Sequence, residues 1–334
     1  MKHGCAGAIS QTSLSTVQNN MGVIIGMDEA GYGPNLGPLV ITATVWDIPQ
    51  KPDDINLWEA FADVVDQAAP TAEKIHVADS KQVYSPSKGI SQLERSVHCL
   101  LGLNGDSPRR YTELCHRLLG CDLDSEDCGP WFENCDLDLP QKIESEAIPE
   151  ISARWRSCCQ THSIGLRTVV SDIVTPRRFN RLLAEYGTKG VLLSKLSMQL
   201  LSRVIDFDHP QPTLVIADKH GGRNRYDELL EEIAADRFIV RETEGRAASS
   251  YRIGTARIRF QTRAEEHLPV AAASLVCKYV RELSMELFNH YWQKQLPGVK
   301  PTKGYPVDAK RFRQEIAAAQ AAAGVTDEML WRER

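Results

Sequence analysis

No run of apolar residues in this 334-residue chain approaches the roughly 20 needed to cross a bilayer as a helix, which argues against a helical membrane span. The first twenty residues, MKHGCAGAISQTSLSTVQNN, lack the apolar stretch of a secretion signal. They read as a polar, disordered tail over 1–20, with Met21 as an alternative start, and the expected compartment is the cytoplasm. Basic charge is not in excess either. Lys and Arg number 39 against 44 Asp and Glu, a net of −5, which speaks mildly against a nucleic-acid binder. No internal repeat is visible. The nine cysteines form no C-x₂₋₄-C pair of the zinc-site kind. Cys115, Cys121, Cys128 and Cys135 are separated by five, six and six residues, and the adjacent Cys158-Cys159 does not repair the spacing. Ordinary reduced thiols are expected. No cysteine sits at a strand-end turn, which disfavours a thiol nucleophile.

What is present is an ordinary globular composition, 42% hydrophobic and 25% charged, enough for one large core. Charge is unevenly placed. Residues 121–138 hold seven acids and no Lys or Arg, whereas residues 245–334 hold fifteen Lys/Arg and nine Asp/Glu. A phosphate-facing surface therefore belongs in the C-terminal third. Apolar runs predict strands over 23–27, 39–46, 164–174, 214–217, from 237, and over 252–260. Helical spacing predicts helices near 57–65, 90–101, 148–158, from Pro176, and over 192–205, 225–235, 271–292 and 308–323. Residues 103–146 break the pattern and read as a Cys-rich, acidic insertion that either lies away from any nucleic-acid groove or contacts a protein. The alternation of strands and helices predicts an α/β fold, a mixed sheet with helices on its faces.

Two carboxylate positions stand out. Val23–Met27 ends at Asp28 and Glu29, followed by the Gly/Pro-rich turn AGYGPNLGP, and the run LVIA ends at Asp218. Acids at the ends of central strands point into the crevice where open α/β sheets bind ligands. Gathering several acids is costly unless cations neutralise them, and hard oxygen donors suit Mg²⁺ or Mn²⁺. Singly, each Asp is more often a turn cap.

The run GMDEAGYGPNLGPLVITATV resembles the opening of the type 2 ribonucleases H, ribonuclease HII and HIII. In the same order follow Ala78-Asp79-Ser80-Lys81, the strand ending at Asp218, the helix AAASLVCKYVRE over 271–282, and Lys303-Gly304-Tyr305-Pro306. The resemblance spans most of 21–310 outside the Cys-rich segment. It implies a ribonuclease H-like fold with a five-stranded mixed sheet, occupying 21–334, with a C-terminal helical part from about 293. It also implies a two-metal Mg²⁺ or Mn²⁺ site on Asp28, Glu29, Asp218 and Glu282, and hydrolysis of RNA in RNA/DNA hybrids or of ribonucleotides embedded in DNA. Substrate contacts carried over by the resemblance are Gly31, Tyr32, Gly33, Ser80, Lys81, Lys303 and Tyr305. Three departures mark the chain. Tyr32 replaces the family's arginine, Glu282 stands where ribonuclease HII has Asp, and the later His and RSF elements are missing. A nuclease of altered substrate, or a non-catalytic interaction protein keeping the fold, are the alternatives.

Overall fold

The computed structural model describes residues 21–333 apart from 69, 72, 86, 122–126, 134–135 and 144–146; the expected tail 1–20 lies outside them. Among the described residues nine strands form, β1 (Gly22–Ala30), β2 (Leu39–Ile48), β3 (Val65–Asp66), β4 (Ile75–His76), β5 (Gly165–Val174), β6 (Thr213–Asp218), β7 (Ile239–Glu244), β8 (Ala248–Ile253) and β9 (Ala256–Gln261). The principal helices are α1 (Ser91–Leu101), α2 (Tyr111–Leu119), α3 (Ala147–His162), α4 (Pro176–Tyr186), α5 (Lys189–Ser202), α6 (Asp227–Ala234), α7 (Leu268–Gln295) and α8 (Pro306–Ala322).

The main sheet has the order β5-β2-β1-β6-β9-β8-β7. β1, β2 and β5 are antiparallel neighbours, while β6 runs parallel to β1 and β9 parallel to β6. The mixed sheet flanked by helices is thus present. Its five central strands are extended to seven by the antiparallel strands β8 and β7. Alternation along β1 divides the core. Ile24 faces one apolar layer with Trp46, Trp155, Ile216 and the first half of α7. Val23, Ile25 and Met27 face the other, with Phe179, Leu196 and Leu230 from α4, α5 and α6. Helix α7 lies directly on β1: a Cβ at Gly26 would fall 2.2 Å from the Pro269 carbonyl carbon. Only a glycine admits that approach.

Three expectations shift. The helix near 57–65 is one turn, Leu57–Ala60, capped by the Asn56 side chain; the chain then bends into β3, which pairs with β4. The run 252–260 is two strands, because Gly254, with φ 57°, turns the chain back between β8 and β9. The Cys-rich insertion over 103–146 is not set apart as an appendage. In its described part α2 buries Tyr111, Leu114, Cys115 and Leu118 in the main core, and Tyr111 Oη is 2.8 Å from Ser284 Oγ. Trp131 joins a third apolar cluster with Phe288, Trp292, Phe312 and Leu330. That cluster fastens α8 and the chain end to the second half of α7.

Candidate active site

Parallel pairing of β1 with β6 sets Met27 opposite Ala217, so Asp28 and Asp218 leave the ladder side by side at the same end of the sheet. β9 continues the pattern, with Gln261 opposite Asp218. The chain leaving β9 therefore crosses that end, and there the short 3₁₀ turn Ala264–Glu266 carries Glu265. Four acids meet electrostatically in this crevice. Burial, then the charge of Glu29, holds Asp28 well above the usual carboxylate range, against a hydrogen bond with Ser274. Glu29 is pushed up to about 7 by burial, then by Asp218 and Glu265, with Lys81 opposing. Burial also raises Asp218, although backbone N–H groups of Ala264 and Lys219 favour its charged form. Glu265 is raised by burial, with Asp218 and Asp79 adding to it.

Such mutual repulsion is what a cation relieves. Asp218 Oδ1 is buried without a hydrogen-bond partner, an unsatisfied hard donor at the end of β6. In donor chemistry the four carboxylates fit a hard divalent ion. Among the described residues, no three His, Cys, Asp or Glu side chains are drawn into a closed ligand group.

Around the acids, Asp79 caps the one-turn helix Ser80–Val83, accepting from the Lys81 N–H at 3.0 Å. That cap projects Lys81 outward, 85% exposed, with its ammonium 3.8 Å from Asp79. Lys81 is raised chiefly by Asp79, and also by Glu265, Asp28 and Asp218. Ser80, expected among the substrate contacts, is buried and lies 3.2 Å from Ser274. Ser274 is the hydrogen-bond partner of Asp28, so Ser80 steadies the acid cluster from behind. Cys277, also buried, donates to the Asp28 carbonyl at 3.1 Å.

The Gly31–Leu36 turn closes one side. Gly31 takes φ 90° and a Cβ there would strike Pro38 O at 2.5 Å, whereas a Cβ at Gly33 would meet open space. Tyr32 is partly buried against the apolar layer of α4 to α6 and close enough to Glu29 to have its hydroxyl raised, first by burial and then by that charge. Gly304 accepts from the N–H groups of Asn35 and Leu36 at 2.8 and 3.3 Å. The KGYP loop is thereby tied to the same turn, with Tyr305 53% exposed.

Glu282 is placed elsewhere. It lies eight residues beyond Ser274 on α7, about 12 Å along a helix axis. Its oxygens bind Lys278 Nζ at 2.6 Å, Lys303 Nζ at 2.5 Å and Tyr84 Oη at 2.7 Å. Burial would raise its carboxyl, but Lys278 and Lys303 outweigh burial and hold it down to about 2. The lysines themselves move in opposite directions. Burial lowers Lys278, whereas in Lys303 the pull of Glu282 outweighs burial. The structure therefore gathers Asp28, Glu29, Asp218 and Lys81, adds Glu265, and engages Glu282 and Lys303 with each other. Glu265 had one signal in the sequence: an acid shortly after a strand, just before the AAAS run of α7.

Fold and site together define a mixed α/β protein with an acid-lined crevice at the ends of its central strands. No protein-family model matches the chain, and no curated protein matches it. Among solved structures it is similar to the ribonuclease H2 of Pyrococcus horikoshii OT3, at 15% identity and TM-score 0.42, over 92% of each chain. It is similar also to the RNase HII of Archaeoglobus fulgidus, solved in complex with PCNA, at 15% identity and TM-score 0.41, over 93% of this chain and 94% of that one. Bst-RNase HIII in complex with Mn²⁺ matches at 17% identity and TM-score 0.37, over 97% and 70%. Likenesses this distant bear on neither activity nor substrate.

Proposed function

We propose that this chain is a metal-dependent endonuclease of the ribonuclease H type, hydrolysing the RNA strand of RNA/DNA hybrids or ribonucleotides embedded in DNA. The observation that carries the reading is the placement of Asp28 and Asp218 at the ends of neighbouring parallel strands, with Glu29 and Glu265 near enough to add to the repulsion and Asp218 Oδ1 buried without a hydrogen-bond partner. These four would hold Mg²⁺ or Mn²⁺, in a two-metal site. Bound ions of this kind supply a water of lowered pKa and neutralise charge on the scissile phosphate and its leaving oxygen. The protein's share is placement. The strand ends fix Asp28 and Asp218. Ser274, backed by Ser80, orients Asp28. Lys81 brings an exposed cation over the acids, where a phosphate diester would approach. The open space at Gly33 lets backbone reach a ribose 2′-hydroxyl, and the exposed ring of Tyr305 offers a face for a sugar. Products would carry 5′-phosphate and 3′-hydroxyl ends.

One observation favours a second reading with altered substrate choice. Tyr32 is packed against apolar side chains, so no cation projects from the centre of the turn. Both readings are tested with purified protein on hybrid, single-ribonucleotide, all-RNA and all-DNA duplexes with Mg²⁺ or Mn²⁺. Cutting at ribonucleotides, lost in Asp28→Asn, is expected. Cleavage confined to all-DNA or all-RNA would favour the second reading, and no cleavage of any substrate with either metal would refute both.

A further inference from the structure

Two guanidinium groups are buried behind the Gly31–Leu36 turn. Arg332 is fully buried and uses only Nη2, which donates to the carbonyls of Gly31, at 2.6 Å, and Pro34. Its Nε and Nη1 have no hydrogen-bond partner among the described residues, and its Cζ lies 4.9 Å from the Phe179 ring centre. Arg281 is equally buried and also leaves Nε and Nη1 without hydrogen bonds; the nearest carboxylate oxygen, on Glu282, is 3.7 Å from Nη1. A Cβ at Gly31 would fall 2.7 Å from Arg281 Nε, so both cations press on one peptide. Burial, then the charge of Arg281, draws Arg332 down to about 9.

The chain end is strapped to the turn by backbone as well. Leu36 and Trp331 form an antiparallel bridge. Arg332 N–H donates to Asn35 O at 2.8 Å, and Asn35 Nδ2 returns a bond to Arg332 O at 3.0 Å. Asn180 holds the outer side through Trp331 O at 2.8 Å and Glu333 N at 2.9 Å. Burying incompletely paired cations carries a desolvation penalty that an apolar side chain would avoid. A role for the charge itself is therefore indicated. Peptide planarity supplies one: with the Gly31 carbonyl drawn to Arg332, the Tyr32 N–H points away from it.

We propose that the strap Trp331–Glu333 is a specificity-determining positioning element, in which Arg332 orients the peptides of the turn for a ribose and, with Arg281, adds positive potential beneath it for the adjoining phosphate. The inference rests on the nucleic-acid reading above. Full-length wild type, Arg332→Met and Arg332→Lys are compared for binding to an RNA/DNA hybrid and an all-DNA duplex of the same sequence, with Ca²⁺. Arg332→Met is expected to weaken hybrid binding about tenfold and duplex DNA binding less than about twofold, with partial rescue by Arg332→Lys. Equal losses on both duplexes, or no loss on the hybrid, overturn the proposal. Amide exchange at Arg332 and Glu333, whose N–H groups donate to Asn35 O and Asn180 Oδ1, reads the strap in the free protein and is expected to quicken about tenfold in Arg332→Met. Unchanged exchange overturns the strap even where hybrid is bound. Quickened exchange in a protein whose wild type binds neither duplex supports the strap and refutes the nucleic-acid reading instead.

Discussion

Glu265 and Glu282 sit on one stretch of chain yet in opposite electrostatic settings, and their substitution separates ligand from scaffold. Glu265 is raised beside Asp218; Glu282 is depressed to about 2 between two lysines. Glu265→Gln is expected to weaken Mn²⁺ binding in calorimetry at least about tenfold with little loss of stability, because it removes one like charge from a repelling set. Glu282→Gln is expected to leave Mn²⁺ binding within about twofold. It should lower urea stability at pH 7 by about 3 kcal/mol, since two cations lose their shared anion. The sign of the pH effect follows from the depressed value. Stability from Glu282 is fully present above the usual 4.5 and is lost as pH falls toward 2. The variant's acid-unfolding profile should be flatter in that window; an unchanged profile would count against the ion cluster. Asp28, Glu29 and Asp218 were legible in the sequence because each ends an apolar strand run. Glu265 gave a weaker signal, because β9 ends at Gln261 and no apolar run leads directly into the 3₁₀ turn that carries it. Glu282 entered only through the resemblance of the AAASLVCKYVRE segment, and the helical rise carries it away from Ser274, the partner of Asp28.

Between elements, the contact that positions the site is backbone against backbone, β1 at Gly26 against the first turn of α7. A methyl at Gly26 would lie 2.4 Å from Val270 N and 2.5 Å from Pro269 O. Neither atom can rotate aside as a flexible side chain would. Gly26→Ala is expected to destabilise the protein by about 2–3 kcal/mol in urea. It should also weaken Mn²⁺ binding, because displacing α7 moves both Ser274 and the Ala264–Glu266 turn. Stability within about 0.5 kcal/mol of wild type would show that the sheet and α7 adjust independently. Gly26 did not stand out in the sequence, where it reads as one residue of an apolar strand; the close approach belongs to tertiary packing. The strand pattern itself was readable because β1 and β2 are buried on both faces and read as near-continuous apolar runs. The hairpin of β8 and β9 was not, because Gly254-Thr255 makes a two-residue turn inside one continuous β-like run. Misreading it as a single strand also hid the placement of Glu265, which depends on β9 lying parallel to β6.

For the molecule as a whole, net charge says little about what it binds. Much of the basic C-terminal third is paired internally: Arg257 with Asp53 and Glu242, Arg311 with Asp308 and Glu315, Arg313 with Asp327. The crevice without a cation is acidic apart from Lys81, so it should repel a polyanion until an ion enters. Metal and nucleic acid then bind with positive coupling, and the coupling must be reciprocal. With Ca²⁺ present, hybrid affinity is expected to rise by some factor over that in chelator, and bound hybrid should tighten Ca²⁺ by the same factor. Mn²⁺ alone at about 100 times its dissociation constant should stabilise the folded protein by about 2.7 kcal/mol, read as a rise of a few degrees in Tm, and Asp28→Asn should show little of it. A hybrid affinity indifferent to divalent ions would place the nucleic acid away from the carboxylates. Binding would then belong to another face of the molecule, and the crevice between β1 and β6 would need a ligand of different chemistry.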